Sequence, residues 1–330
     1  MTEPTQAEPP FVRADVATFL GYLNNLPGPR THQMSVEEAR AAMLAMCDVA
    51  DAPRGELSVV RELTIPGPAG PLPARLFDAR TERAAGPAVV FFHGGGWVVG
   101  NVTSHASLAA EMARQLDLPV ISVDYRLAPE APFPAAVEDA EAATRWVAES
   151  PAALGRTVTG LVLSGDSAGG NLAVVTSVAL RDRPAAAPVI VQAPIYPATD
   201  ATRHYPSFDA FCDGYLLTRE TMGWFGNHYR PDPQDTRFSP IVGALTGLPP
   251  AVIVAAGLDP LRDQARAYAA ALALAGVPVT YQEARGNIHG FATLRRAIPS
   301  SQQDVAAFLT AVRAAVAAAT HDVANAKAAG

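Results

Sequence analysis

Leu161-Val162-Leu163-Ser164-Gly165-Asp166-Ser167-Ala168-Gly169-Gly170-Asn171 is the stretch on which the fold turns. An apolar, β-like run ends in G-x-S-x-G and passes without a linker into a helix-length segment at 169–181. So abrupt a turn lifts the Ser167 hydroxyl above the end of a sheet, and glycines at 165 and 169 leave room for strained backbone and close strand–helix approach. The bare pattern is weak. With Gly at 25 of 330 positions, chance produces it in roughly one chain in ten of this composition. Its place between a strand and a helix gives it weight.

The same alternation repeats on either side. Short β-like runs stand at 56–64, 72–77, 87–92, 119–124, 160–164, 188–193, 251–256 and 278–282. Helix-length stretches fall at 104–116, 134–149, 169–181, 261–275 and 302–319. This order predicts a mostly parallel sheet with helices on both faces. The first two runs have no helix between them, which predicts an antiparallel hairpin at one edge. Residues 1–52 read as helical: Phe11, Val16, Phe19, Leu20, Leu23 and Leu26 recur at helical spacing, and Ser35 before Glu37 and Glu38 starts a second helix. Residues 197–250 form a long connection rich in Pro and aromatics, with a helix expected at 218–229. Connections of that length are commonly lids or binding loops. The expected organisation is a helical cap begun by 1–52, a core over 53–196, an insertion at 197–250 completing the cap, and the core resumed over 251–330 with a fraying tail.

Composition narrows the function. Hydrophobic residues make up 49% of the chain and charged ones 17%, which suits a large core and excludes general disorder. A net charge of −7 without a basic cluster argues against nucleic acid or an anionic membrane as partner. Cys47 and Cys212 make no disulfide framework, and no HExxH or Cys/His cluster suggests a metal. The start MTEPTQAEPPF lacks the basic and apolar regions of a signal peptide, and no apolar run is long enough for a span, so the expected location is cytoplasmic.

Three further segments carry chemistry. His93-Gly94-Gly95-Gly96-Trp97 follows the run at 87–92, and its glycines free the backbone to aim N–H groups at one centre, as an oxyanion hole requires. A phosphate loop would need Lys at 101, where Asn stands, and a dinucleotide fingerprint would need Gly at 99, where Val stands. Asp259 and His289 each follow a predicted strand, so Ser167, Asp259 and His289 arrive in the chain order of a Ser–acid–base triad at one sheet edge. Asp263 competes more weakly for the acid, His93 reads as an orienter of the glycine loop, and His105 as a structural hydrogen-bonder.

With these pieces the chain resembles the bacterial hormone-sensitive-lipase-like (family IV) esterases of the α/β-hydrolase superfamily. The likeness rests on His93 to Trp97, on Asp124-Tyr125-Arg126-Leu127-Ala128-Pro129-Glu130 with Phe133-Pro134, on Gly165 to Gly170, on Asp259-Pro260-Leu261-Arg262-Asp263 and on His289-Gly290-Phe291. It implies an α/β-hydrolase fold with an eight-stranded sheet and a helical cap, and carboxylester hydrolysis without a cofactor. Ser167 is then the nucleophile, His289 the base, Asp259 its orienter, and the N–H groups of Gly95, Gly96 and Ala168 the oxyanion hole. Arg126 and Glu130 are expected to pair. Asn287 stands where such enzymes often carry an apolar residue. The resemblance leaves a homodimer open. Trp97, Phe19, Tyr22, Phe211, Tyr215 and Leu216 are the expected substrate lining, which favours short to medium acyl chains of a small-molecule ester. An amidase, formamidase or deacetylase of the same fold, or a non-catalytic ligand-binding protein on it, are the alternatives.

Overall fold

The structure is a computed structural model that describes residues 9–329, with side chains described through His321. The start weighed as a signal peptide lies mostly at 1–8, outside the described residues.

Eight strands form one sheet: β1 (Val59–Gly67), β2 (Gly70–Asp78), β3 (Gly86–Phe92), β4 (Val120–Val123), β5 (Val158–Asp166), β6 (Val189–Ile195), β7 (Ala251–Leu258) and β8 (Val279–Ile288). Their spatial order is β1-β2-β4-β3-β5-β6-β7-β8. The pairs β1–β2 and β2–β4 are antiparallel and all others parallel, so the predicted hairpin is the edge. There the strand alternates, with Leu63 and Ile65 buried and Glu62 and Thr64 exposed, because one face meets water. The central strands are mostly apolar because both faces are covered, with Ser122, Ser164 and Gln192 among their buried polar residues.

Alternate positions of those strands feed two layers. Val90, Phe92, Leu161 and Leu163 pack with α4 (Ala135–Ala148) and α5 (Ala168–Asp182). Val89, Phe91 and Val162 pack with α3 (Ala106–Leu116) and α9 (Ser301–Ala329). α8 (Arg262–Leu274) covers β7 and β8 on the first of these faces. The Ala-rich end expected to fray continues α9 to Ala329, in keeping with the high helix propensity of Ala. β8 also outruns its expected end at 282: it stays paired with β7 to Ala284 and, past a bulge, again at Ile288. The prolonged strand delivers His289 to the sheet's end.

Residues outside these layers form α1 (Ala14–Asn25) and α2 (Val36–Ala50), then α6 (Pro206–Phe211) and α7 (Arg219–Tyr229). Ser35 and Glu38 make the expected reciprocal cap at the start of α2. Arg13 pairs with Asp304 at 2.6 Å and Asp51 with Arg295 at 2.8 Å, tying this segment to α9 and to the turn after His289. α6 was not anticipated from the sequence. No described helix is long and apolar enough to cross a membrane.

Candidate active site

The turn from β5 to α5 is set by main-chain crowding. A Cβ on Gly169 would stand 1.9 Å from Phe92 O, and one on Gly165 would stand 2.4 Å from Gly169 O, so only glycine fits either place. Between them Ser167 adopts φ 54° and ψ −115°, a conformation that costs a non-glycine residue of order 1–3 kcal/mol and persists where the surroundings over-determine it. Here the Ser167 N–H is held by Ile195 O at 2.9 Å.

Two further turns converge on the hydroxyl. His289 Nε2 is 2.8 Å from Ser167 Oγ, and His289 Nδ1 is 2.7 Å from Asp259 Oδ2. Asp259, on the turn after β7, is fully buried, and its Oδ1 accepts the Leu261 N–H at 2.8 Å. Both carboxylate oxygens are therefore occupied and the imidazole is oriented. Asp263 is engaged elsewhere: it accepts the Ser207 N–H at the start of α6 and pairs with Arg262 and Arg266. The Tyr196 ring packs 4.7 Å from the His289 ring. Sequence reasoning missed Tyr196, although its place just past β6, on the same sheet edge, was readable.

Beside these turns Gly95, Gly96 and Trp97 all take positive φ, at 118°, 58° and 60°. The loop returns on itself through Val98 N–H and Val99 N–H donating to Gly95 O. The Phe225 ring of α7 lies against Gly96, where a Cβ would come within 2.3 Å of it. His93 stacks on Tyr125 and places Nδ1 2.8 Å from Gly94 O. Burial, followed by the nearby His105, pushes the His93 imidazole down to about 3, so it is neutral and orients the loop. Gly94 N–H donates to Asp166 Oδ1 at 2.8 Å, and His105 Nε2 lies 3.2 Å from the same oxygen.

The expected substrate lining fares less well. Tyr22 is 66% exposed, because it falls off the face formed by Val16, Phe19, Leu20 and Leu23. Phe19 and Phe211 are buried together with Leu258 and Ile288, so they attach α1 and α6 to the sheet, with Tyr215 edge-on to Phe211. Trp97 is buried and stacks on Tyr229 at 4.6 Å, which anchors the glycine loop to α7. Leu216 lies beside the residue after His289, 3.5 Å from where a Cβ on Gly290 would be. The expected pairing of Arg126 with Glu130 is also corrected: Arg126 takes Asp139 at 2.7 Å, and Glu130 takes Arg40 of α2 at 2.7 Å. Arg40 further donates to Val98 O and Ala128 O, joining α2 to the glycine loop. Asn287 is buried and satisfied, donating to Ser301 Oγ and Asp304 Oδ2. A cleft of about 560 Å³ opens between Arg40, Leu44, Asn101, Asp124 and Leu127, and none of Ser167, Asp259 and His289 lines it.

A family model described as alpha/beta hydrolase fold matches residues 89–293, a span that takes in the glycine loop and all three converging turns. The chain belongs to the α/β-hydrolase superfamily, in its hormone-sensitive-lipase-like branch. The hydrolase is 41% identical over 285 residues to the carboxylic ester hydrolase LipN of Mycobacterium tuberculosis, covering 84% of this chain and 75% of the relative. It is 35% identical over 289 residues to an ethyl acetate hydrolase of Pseudomonas putida, covering 86% and 91%. Among solved structures, a hyperthermophilic esterase from Pyrobaculum calidifontis superposes with a TM-score of 0.84 at 36% identity, over 93% of this chain and all of the other. A thermostable esterase from Pseudomonas putida superposes at 0.88 with 30% identity, over 94% and 99%.

Proposed function

We propose that this carboxylic ester hydrolase uses Ser167 as nucleophile, His289 as base and Asp259 as its orienter, and releases short- to medium-chain acyl groups through an acyl-enzyme. The observation that carries the reading is the continuous contact from Asp259 through His289 to Ser167, at 2.7 and 2.8 Å. With Nδ1–H committed to Asp259, the Nε2 lone pair of a neutral His289 faces the hydroxyl proton. A Ser hydroxyl is a weak nucleophile, so Nε2 takes the proton as Oγ bonds to the ester carbonyl carbon. The carbonyl oxygen becomes an oxyanion held by the N–H groups of Gly95, Gly96 and Ala168. Ala168 opens α5, where N–H groups have no partner within the helix. Loss of one such donor in comparable enzymes costs about 3–4 kcal/mol of transition-state stabilisation. Collapse breaks the ester C–O bond, the leaving alkoxide takes the proton from Nε2, and water repeats the cycle on the acyl-enzyme. Every step is supplied by side chains and backbone, so the route calls on neither cofactor nor metal.

Phe225 against Gly96 and Leu216 beside Gly290 support a preference for short acyl groups, and the ethyl acetate hydrolase among the relatives agrees with it. Room for a methylene is worth about 0.8 kcal/mol until space ends, after which overpacking costs roughly 1–3 kcal/mol. Turnover of p-nitrophenyl esters from acetate to palmitate, beside the matching anilide, tests this. Expected is kcat/KM peaking at roughly two to six acyl carbons, with the anilide far slower. A peak at palmitate, or anilide turnover equal to the ester, would overturn the substrate reading.

A further inference from the structure

Asp166 and His105 are fully enclosed beside the triad, and the mechanism above uses neither. Their hydrogen bonds bear on what the imidazole carries. The Ser104 hydroxyl has one hydrogen, which goes to Asn101 O at 2.9 Å, and it already accepts the Asn101 N–H at 2.9 Å. With that hydrogen on Asn101 O, the Ser104 hydroxyl accepts from His105 Nδ1, 2.9 Å away, and Nδ1 bears a hydrogen. On the other side of the ring, Nε2 faces Asp166 Oδ1 at 3.2 Å, where a bare lone pair would point at a buried carboxylate. Gly94 N–H stands 3.3 Å from that nitrogen but 2.8 Å from Asp166 Oδ1, so the carboxylate is its acceptor and Nε2 is left as a donor.

We propose that His105 is a standing imidazolium, ion-paired with Asp166, and that the pair positions the oxyanion loop through the Gly94 N–H. The proposal rests on the reading of Gly95, Gly96 and Ala168 as oxyanion donors. Asp166 directly precedes Ser167, and Gly94 directly precedes Gly95. One carboxylate thus spans the two chain segments that would supply the hole. The loop lies hard against it, since a Cβ on Gly94 would come 2.3 Å from Asp166 Oδ2. The cation keeps that buried carboxylate ionised.

The surroundings agree. Burial opposes charge on His105, but the Asp166 carboxylate outweighs it and holds the imidazole above its ordinary range, while Asp166 is held below its own. His93, whose ring lies 5.6 Å away, is kept neutral. Asp51 faces the pair from the end of α2 with its charge met by Arg295. Cys47, Tyr125 and Tyr196, also titratable neighbours of Asp166, are pushed up by burial and stay neutral. A buried ion pair of this kind becomes a liability when one member is removed, because the other charge is left unpaired.

The test has two arms. In the first, the intact ¹⁵N-histidine-labelled protein is followed by two-bond ¹H–¹⁵N correlation between pH 6 and 8.5. Expected is a His105 ring with both nitrogens protonated throughout; one unprotonated nitrogen at pH 7 overturns the proposal. In the second arm, His105→Gln, Asp166→Asn and the double variant are compared, with active sites counted by an organophosphonate label mapped to Ser167. Each single variant should lose kcat per labelled site by about 10–100-fold at nearly constant KM, as a loosened catalytic geometry does. The double variant should recover part of that loss, since neither charge is stranded. Unchanged kcat per labelled site in the single variants also overturns the proposal. A label found away from Ser167 would instead break the catalytic reading, and the spectroscopic arm would still decide the charge.

Discussion

The turn that carries Ser167 and the helical segments at 14–50 and 206–229 are held by different means. At the turn, backbone meets backbone: Gly165 and Gly169 leave less room than a Cβ needs, and Ser167 takes a strained conformation between them. The helical segments are attached chiefly through side chains, with main-chain bonds only at their ends, such as Arg296 and Ala297 N–H to Ala50 O and Phe133 N–H to Tyr229 O. Arg13 reaches Asp304, Arg40 reaches Glu130, Asp51 reaches Arg295, Ser207 engages Asp263, and Tyr229 stacks on Trp97. Main-chain crowding admits one residue type and one geometry. Side-chain attachment can exchange partners without moving the sheet. On the proposed function, the nucleophile is held rigidly by the first region, and the second is where fit to substrate can vary.

The largest effect that could break this contrast is on the acid. Asp259→Asn should lower kcat by up to ~10⁴-fold in a folded protein, because the imidazole is then held in the wrong tautomer. Asp263→Asn, which disturbs only the junction with α6, should change kcat by a few-fold at most. A reversed pattern in steady-state ester kinetics would move the acid to the side-chain-attached region. Next is stability. Asp51→Ala leaves the Arg295 guanidinium buried and unpaired and should cost about 3–5 kcal/mol in urea unfolding. Arg13→Met, at a partly exposed junction, should cost about 1 kcal/mol or less. Equal losses would show that the two junctions do not differ as their burial implies.

Smaller effects sharpen the contrast. Leu216→Ala or Phe225→Ala should raise the ratio of octanoate to butyrate turnover by about tenfold while leaving the triad intact. An unchanged ratio would place acyl selection elsewhere. The smallest effect concerns Arg40 and Glu130. The Arg40 guanidinium draws the Glu130 carboxyl from its ordinary 4.5 down to about 2. A folded pKa below the unfolded one gives stability above the unfolded value and loses it as pH falls through the folded value. Glu130→Gln should therefore lower the melting temperature slightly at pH 7, with the deficit closing as pH falls from 4.5 toward 2. Because Glu130 is mostly exposed, water screens the pair and the shift should be small.

What could be read from the sequence follows the same division. The G-x-S-x-G turn, the glycine loop, Asp259 and His289 are local patterns at strand ends, and each can be recognised without knowing what packs on it. The strand and helix alternation likewise fixed a parallel sheet with an antiparallel edge. Pairings across the chain were not legible. Arg126 meets Asp139 because α4 turns that residue inward, and the nearer Glu130 is claimed by Arg40 from a helix far away in sequence. Trp97 is an anchor because Tyr229, at the end of α7 within the insertion, stacks on it. Tyr22 could have been excluded, since Val16, Phe19, Leu20 and Leu23 already define the buried helical face and it lies off that stripe.

The claim that Ser167 performs the covalent step is tested most directly by reacting the full-length wild-type enzyme with a p-nitrophenyl phosphonate and mapping the adduct by peptide mass spectrometry. The account predicts one adduct per chain, on Ser167 and no other serine, with ester turnover lost in proportion to labelling. An adduct on another residue, or substantial turnover remaining once Ser167 is fully labelled, would contradict it.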